Sequence, residues 1–172
     1  MKKWLLLSLT AVILVVLASC TLGVQSTPTE KPPSTAKVGE AFKLGDWQIT
    51  VTGLEFAAQI PVGSSGAEFY MADKTNTFAI VSVTVKNIGK TEKQFLPVPP
   101  YEDKFMVLYC ADIGMYSRAM CDDVDLSSTT VNPGEEIDGI EVFEVSKKAE
   151  TADKPIILDI TEGSATVKLT LR

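Results

Sequence analysis

The chain has 172 residues and contains no histidine, which excludes more kinds of function than any single motif in it suggests. Ser-His-Asp and Cys-His catalysis need an imidazole base, and the usual His-containing zinc and copper sites need imidazole as a ligand. Cysteine is also scarce, with three residues in the chain. Catalysis would have to rest on carboxylates or on serine and lysine, so we expect a protein that is not an enzyme and has no cofactor.

The chain also lacks an apolar run of the roughly 20 residues that a membrane span requires. Its main apolar run covers residues 4–18, follows Lys2 and Lys3, and is closed by the letters LASC at 17–20, of which the last is Cys20. A basic start, a short apolar run and small residues before a cysteine have the order of a secretory signal and resemble a bacterial lipobox. The motif predicts a lipoprotein signal peptide over residues 1–19 and a lipidated Cys20 as the first mature residue.

Basic residues are fewer than acidic residues once the predicted signal peptide is removed. The mature chain keeps 14 basic and 22 acidic residues, a net charge of −8. Such a balance argues against nucleic acid as a partner and against electrostatic attraction to anionic lipid headgroups. Attachment to the cell membrane would therefore rest on the lipid of Cys20, with the rest of the chain outside the cytoplasm.

Residues 21–37 read TLGVQSTPTEKPPSTAK and contain few large apolar groups. Such a segment cannot bury enough surface to offset its ordering entropy, and its prolines favour extended geometry. We therefore expect a disordered tether over residues 20–37. The remaining residues, 38–172, are enough for one domain with a hydrophobic core.

Alternation with a period of two dominates the sequence after residue 38. Trp47 to Val51 places aromatic and β-branched residues on one side, and after Gly53 the apolar phase shifts, which predicts a bulge or a bend where the strand could leave one sheet for another. Residues 77–86 form the strongest strand pattern, apolar on both sides in the first half, and we expect this strand to be central.

Further strands are predicted on both sides of recognisable turns. The sequence Asn132-Pro133-Gly134 has the residues of a type II turn, and no stretch after residue 38 predicts a helix. Eight or nine short strands in all predict an all-β, antiparallel β-sandwich. The other strand patterns are residues 91–98, a hairpin of 104–111 with 115–120, and residues 137–145, 154–161 and 165–171.

A set of short segments stands out along the domain: VGE at 38–40, GDWQITV at 45–51, VSVTVKN at 81–87, Asp112, Gly114, Tyr116, NPGE at 132–135 and VFEV at 142–145. Together these segments resemble the DUF4352 family of bacterial secreted proteins and lipoproteins. The resemblance covers about residues 38–171 and implies an immunoglobulin-like sandwich, related to a mycobacterial secreted antigen, but no shared activity. Ile60 to Thr77 is longer than the family's usual link and would be a mobile loop or a local binding feature.

Cys110 and Cys121 are not part of that family pattern, and an oxidising location makes a structural disulfide between them the first expectation. A tight hairpin centred between Ile113 and Gly114 would instead place Cys110 opposite Ser117. The bond therefore requires a wider loop or a bulge, and buried thiols are the alternative. The missing Cys-X-X-Cys spacing disfavours a redox site.

Asp122, Asp123 and Asp125 form the densest acidic cluster in the sequence. Calcium favours carboxylate oxygens in extracellular modules, so this cluster is a candidate metal site, and a solvated loop face is the alternative. The sequence thus favours a non-catalytic, lipid-anchored domain that presents a sandwich surface to an unidentified protein or cell-envelope partner. A small-ligand or divalent-metal binding lipoprotein is the second hypothesis.

Overall fold

Strands in which apolar and polar residues alternate form two main β-sheets in this chain. The computed structural model describes residues 34–63, 67–95, 104–119, 121, 124–126 and 129–172. The strands and the helix in these ranges are β1 (Thr35–Lys37), β2 (Ala41–Leu44), β3 (Trp47–Ala57), β4 (Gln59–Val62), β5 (Glu68–Met71), β6 (Asn76–Asn87), β7 (Lys93–Gln94), β8 (Lys104–Cys110), β9 (Gly114–Ser117), β10 (Thr130–Val131), β11 (Glu136–Ser146), α1 (Lys147–Thr151), β12 (Ile156–Glu162) and β13 (Ala165–Thr170).

Two larger sheets and two small ones contain these strands. The four-stranded sheet has the order β11-β6-β3-β2 and is antiparallel throughout. The five-stranded sheet has the order β1-β13-β12-β8-β9, in which only β1 and β13 run parallel. Strands β4 and β5 form a separate hairpin, and β7 pairs with β10. The predicted central position of β6 is confirmed, since it lies between β11 and β3.

The main core joins the inward faces of the two larger sheets. Trp47 from β3 meets Phe95 edge to face, with ring centroids 5.3 Å apart, and both side chains are buried. Leu158 and Leu169 of the five-stranded sheet belong to the same apolar cluster. Two sheets that bury facing apolar sides against each other make a β-sandwich, which confirms the all-β, immunoglobulin-like fold predicted from the strand patterns.

The phase change at Gly53 is a β-bulge. Val51 pairs with Val83, and the next pair joins Gly53 to Ser82, so β3 contains one extra residue at this point. After the bulge, Leu54 packs against the main core again. The predicted bulge is confirmed, but the strand does not change sheets, because the extra residue is absorbed locally and pairing with β6 continues to Ala57.

The outer face of the four-stranded sheet carries a second apolar group, which we call the outer cluster. It explains why the first half of β6 is apolar on both sides: one side faces the main core, and Phe78 and Ile80 face the other way. Residues from the β4–β5 hairpin and from the segment after β9 cover this face. The buried members of the outer cluster are Ile60, Phe78, Ile80, Cys121 and Val142.

The turn before β11 has the predicted type II features. Gly134 has a φ of +81°, and the N–H of Glu135 donates to the carbonyl of Asn132 at 3.0 Å. The expectation of no helix after residue 38 is wrong at one place, because α1 forms a single short helix. The Ser146 hydroxyl accepts a hydrogen bond from the Lys148 N–H at its start. Five residues are too few for helical periodicity to appear in the sequence.

The domain begins slightly earlier than the tether prediction places it. Thr35–Lys37, assigned above to the tether, form β1 and pair with β13. The described residues from Ser34 to Arg172 belong to one compact unit. The predicted signal peptide and the lipidation site Cys20 lie outside the described residues. Within the described ranges, no helix is long and apolar enough to cross a membrane.

Candidate functional site

Cys110, on β8 of the five-stranded sheet, and Cys121 lie on opposite sides of the four-stranded sheet. Cys110 is buried in the main core, whereas Cys121 is buried in the outer cluster, and the structure contains no disulfide between them. This corrects the predicted bond. The β8–β9 turn is centred on Asp112 and not between Ile113 and Gly114, because Cys110 pairs with Gly114 and Ser117 pairs with Val107. Burial raises the pKa of the Cys110 thiol, and the positive charge of Arg172 opposes that shift.

The predicted acidic cluster is only partly within the described residues. Asp122 and Asp123 lie outside them, whereas Asp125 is buried close to the core face of β11. The described part of the chain contains no group of three histidine, cysteine or acidic side chains placed to hold a metal ion. A metal site at Asp122, Asp123 and Asp125 remains a prediction.

Asp125 lies near a buried ion pair that the strand patterns did not reveal. Arg118 Nη1 is 2.9 Å from Glu141 Oε2, and the two side chains are 5% and 0% exposed. Arg118 also forms a β-bridge with Phe143, so this pair connects the end of β9 with the edge strand β11. The signal in the sequence was a charged residue in the inward phase of β11, between Gly139 and Phe143.

Burial controls the protonation of Glu141. Desolvation of its carboxyl group raises the pKa to about 7, the nearby Arg118 guanidinium lowers it by charge and by its hydrogen bond, and Asp125 adds a smaller upward effect. Glu141 Oε1 has no hydrogen-bond partner within the described residues. The corner therefore holds two carboxyl groups and one guanidinium in a desolvated position, an arrangement that couples the packing of this corner to pH.

Part of the segment from Ile60 to Thr77 forms the antiparallel hairpin of β4 and β5, and residues 64–66 lie outside the described residues. Ile60 pairs with Tyr70, and both pack into the outer cluster. On the other side of the hairpin, Phe69 is 44% exposed and Met71 is 64% exposed. Of the two alternatives given for this segment, the described residues disfavour a mobile loop, and the exposed apolar groups fit a local binding feature.

A second exposed apolar pair lies on the outer face of the five-stranded sheet. Tyr109 on β8 and Met115 on β9 are directly opposite each other and are 45% and 73% exposed. Half-buried Ile157 is the cross-strand neighbour of Tyr109 on β12, and half-buried Val107 follows on the same side of β8. We call these four residues the β8–β9 face. Its members alternate with core residues, so the rigid sheet fixes their positions.

A cleft of about 410 Å³ lies beside α1 and is lined by residues 150–155 together with Arg172. The Arg172 guanidinium donates hydrogen bonds to the carbonyl oxygens of Ala149, Glu150 and Ala152. It also lies 5.6 Å from the ring centre of Phe56. These contacts make Arg172 a cap for the end of α1 and give the residue a structural role in the cleft.

Comparison with known families identifies the domain that carries these features. Residues 36–160 match the family described as "Domain of unknown function (DUF4352)". The chain belongs to the DUF4352 family. No curated protein matches it significantly.

Two solved structures resemble this DUF4352 domain. One is an uncharacterized beta-sandwich protein from Clostridium difficile 630, with a TM-score of 0.61 and 17% sequence identity; the match covers 83% of this chain and 97% of that protein. The other is a conserved hypothetical protein from Bacillus anthracis, with a TM-score of 0.53 and 13% identity, covering 79% of this chain and 94% of that one. At these identities the likeness shows the fold alone.

Those site residues predicted from the sequence that the structure describes in this DUF4352 domain do not form one site. Cys110 lies in the main core, Cys121 in the outer cluster, and Asp125 beside Arg118 and Glu141. The exposed apolar pairs on the hairpin and on the β8–β9 face were not singled out from the sequence. The sequence partly indicated the second pair, because Tyr109 and Met115 are large residues at outward-facing positions of their strands.

Proposed function

We propose that this protein is a non-catalytic, lipid-anchored, extracytoplasmic domain that uses the β8–β9 face to bind a protein partner in the cell envelope. The observation that carries the proposal is the pairing of Tyr109 with Met115, two large apolar side chains exposed on a rigid sheet. Aromatic residues and methionine are enriched in the cores of protein interfaces.

The charges around this face support a contact with an apolar centre and a polar rim. Lys168 and Asp159 form an ion pair at 2.6 Å one strand away from Val107, and Lys154 pairs with Asp112 at 3.0 Å beside the β8–β9 turn. Paired charges at the margin are solvated and contribute little to affinity, but they orient an approaching partner. The apolar centre supplies the area that leaves water on binding.

Anchoring through Cys20 is the second part of the proposal, and the LASC sequence before the tether supports it. It is tested by the intact mass of the protein isolated from its membrane. We expect the mature chain to begin at Cys20 and to carry the added mass of a lipid. A Cys20→Ser variant would be recovered without that mass and outside the membrane fraction.

The partner is tested by placing a photo-crosslinking amino acid at Met115 in living cells, with Lys43 on the outer face of the opposite sheet as the matched control position. We expect one discrete crosslinked protein from position 115 and none from position 43. Excess purified domain should compete for the crosslink, whereas a Tyr109→Ser domain should compete at least tenfold less well. Crosslinks of equal yield from both positions would contradict the proposal.

A further inference from the structure

The β4–β5 hairpin presents an outward side made only of uncharged residues. Pro61 pairs with Phe69 and Gln59 pairs with Met71, so these four side chains point to the same side, away from the Ile60–Tyr70 pair. We call them the hairpin face. Phe69 and Met71 are large, apolar and exposed to water. An exposed aromatic and methionine on one side of this hairpin mark a surface that gains free energy when it leaves water.

The sequence around this hairpin is free of charge over an unusual length. No charged residue occurs between Glu55 and Glu68, although 22% of the chain is charged. Glu68 pairs with Val62 and therefore points to the side opposite Phe69. A hairpin that enters the interface of a lipid bilayer has to avoid the cost of desolvating charges, and this one carries none on the face concerned.

Charged groups lie at the base of the hairpin instead. Lys74 follows β5 closely, and Lys147 Nζ donates to the Lys74 carbonyl oxygen at 2.8 Å. The neighbouring Glu144 carboxylate accepts hydrogen bonds from the Asp73 N–H and from Asn76. The base therefore carries two lysines and two acids, and an apolar hairpin face with charges of both signs at its base matches the division of a zwitterionic bilayer surface into acyl region and headgroup layer.

The length of the tether brings a bilayer within reach of this face. Residues 20–33 number 14 and span about 43 Å at ~3.1 Å per residue when extended. Strand β3 has 11 residues and is about 36 Å long at ~3.3 Å per residue. If Cys20 carries a lipid, as proposed above, the bilayer is present at a high effective concentration, so even a small apolar face is sufficient for docking.

A second copy of the chain fits this face less well. None of the four members of the hairpin face is charged, whereas ion pairs lie at the margin of the β8–β9 face, and a protein partner uses such a polar rim for its orientation. The hairpin face consists of four side chains, Gln59, Pro61, Phe69 and Met71. We propose that the hairpin face docks on the surface of the lipid bilayer to which Cys20 anchors the chain. This inference rests on the proposed anchoring.

Docking would also orient the sandwich. The hairpin covers the outer face of the four-stranded sheet through Ile60 and Tyr70, whereas Tyr109 and Met115 lie on the outer face of the five-stranded sheet. These are opposite flanks of the sandwich. A bilayer in contact with the hairpin face therefore leaves the β8–β9 face pointing away from the membrane, where a partner reaches it.

Two exposed methionines provide an internal test. The lipidated full chain is placed in phosphatidylcholine vesicles and treated with chloramine T, and sulfoxide is quantified at Met71 and at Met115. We expect Met71 to oxidise at least fivefold more slowly on vesicles than in the soluble Cys20→Ser chain, with Met115 unchanged. Equal rates for Met71 in the two settings, or equal slowing at both methionines, would overturn the proposal.

Variants with a matched control sharpen that test. Phe69→Ser should return Met71 oxidation on vesicles to the rate in the soluble chain, whereas Tyr109→Ser on the opposite flank should leave the protection intact. Protection of Met71 that appears only after envelope proteins are added would overturn docking on lipid. The intact mass separates the two proposals: a chain without lipid on Cys20 contradicts the anchoring, and a lipidated chain with unprotected Met71 contradicts the docking alone.

Discussion

Arg118 and Glu141 form an ion pair between the two sheets, with Nη1 and Oε2 2.9 Å apart and both side chains buried. The ion pair links the segment after β9 to the edge strand β11. Beside it, the Ala119 N–H donates a hydrogen bond to the Val142 carbonyl oxygen at 2.7 Å. Desolvation outweighs the attraction of Arg118 and holds the pKa of Glu141 at about 7. The stability of this corner therefore responds to pH.

Glu141 makes the folded domain less stable as the pH rises. Its pKa is higher in the folded state than the ordinary value of 4.5, so the folded state binds the proton more tightly than the unfolded state. Its contribution to stability is complete below about pH 4.5 and is lost as the pH rises through 7. The free energy of unfolding, measured in urea, should fall between pH 4.5 and pH 8 by on the order of 2 to 3 kcal/mol more in wild type than in Glu141→Gln.

The matched control for this titration is Glu136→Gln, which alters an exposed glutamate on the same strand whose carboxylate is 3.7 Å from Lys86. Its stability curve should run parallel to that of wild type over the same pH range. Parallel curves for Glu141→Gln as well would show that Glu141 does not bind its proton more tightly in the folded state.

Removing the guanidinium should destabilise the domain strongly. Arg118→Met leaves the fully buried Glu141 carboxylate without its counter-charge, and we expect a loss of about 3 kcal/mol at pH 8. The double variant Arg118→Met/Glu141→Leu should recover more than half of that loss, because no unpaired glutamate then remains. Free energies of unfolding in urea measure both effects, and additive losses in the double variant would contradict the coupling.

Asn87 should be among the most sensitive polar residues in the domain. It is fully buried, and its Nδ2 donates to the carbonyl oxygens of Thr91 and Val131 at 2.8 and 2.9 Å, while its Oδ1 accepts from the Gly89 N–H at 2.9 Å. Asn87→Ala should cost about 2 to 3 kcal/mol, because buried backbone groups lose their partners. Thr52→Ala removes one exposed hydrogen bond and should cost under about 1 kcal/mol; thermal unfolding of both variants compares the two losses.

The thiols of Cys110 and Cys121 should remain unlinked to each other in air-purified protein. The two lie on opposite sides of the four-stranded sheet, so a bond between them would require the sheet to open. Alkylation in denaturant without reductant should modify Cys110, and in the folded protein the raised pKa of its thiol should make that labelling slow. A peptide pair joined through these two cysteines in mass spectra would contradict the structure.

Local pattern predicted the strands well because alternation is a property of neighbouring residues. The extent of β6 was predicted within one residue at each end, and the bulge at Gly53 was visible as a change of phase. Short elements were not predicted, for the same reason. Strands β4 and β5 and the five residues of α1 are too short to show a repeating pattern of apolar residues.

The candidate sites were harder to predict, because they depend on which distant residues meet. The disulfide expectation followed from composition and location, and it failed because the bulk of a sheet separates Cys110 from Cys121. The buried ion pair joins Arg118 and Glu141, which are 23 positions apart in the sequence. Its only sign in the sequence is a charged residue at a core-facing position of β11.

The sequence by itself determined the fold class, the family and the expectation of a lipidated Cys20, because strand alternation, turn residues and a cleavage motif are all written in contiguous residues. Only the tertiary structure decided which face each residue occupies relative to residues far along the chain. Cys121 lies outside the sandwich core, and Glu141 pairs with Arg118 in a desolvated corner. The hairpin face and the β8–β9 face lie on opposite flanks of the sandwich. These relationships arise from sheet pairing and burial, which act across the whole domain.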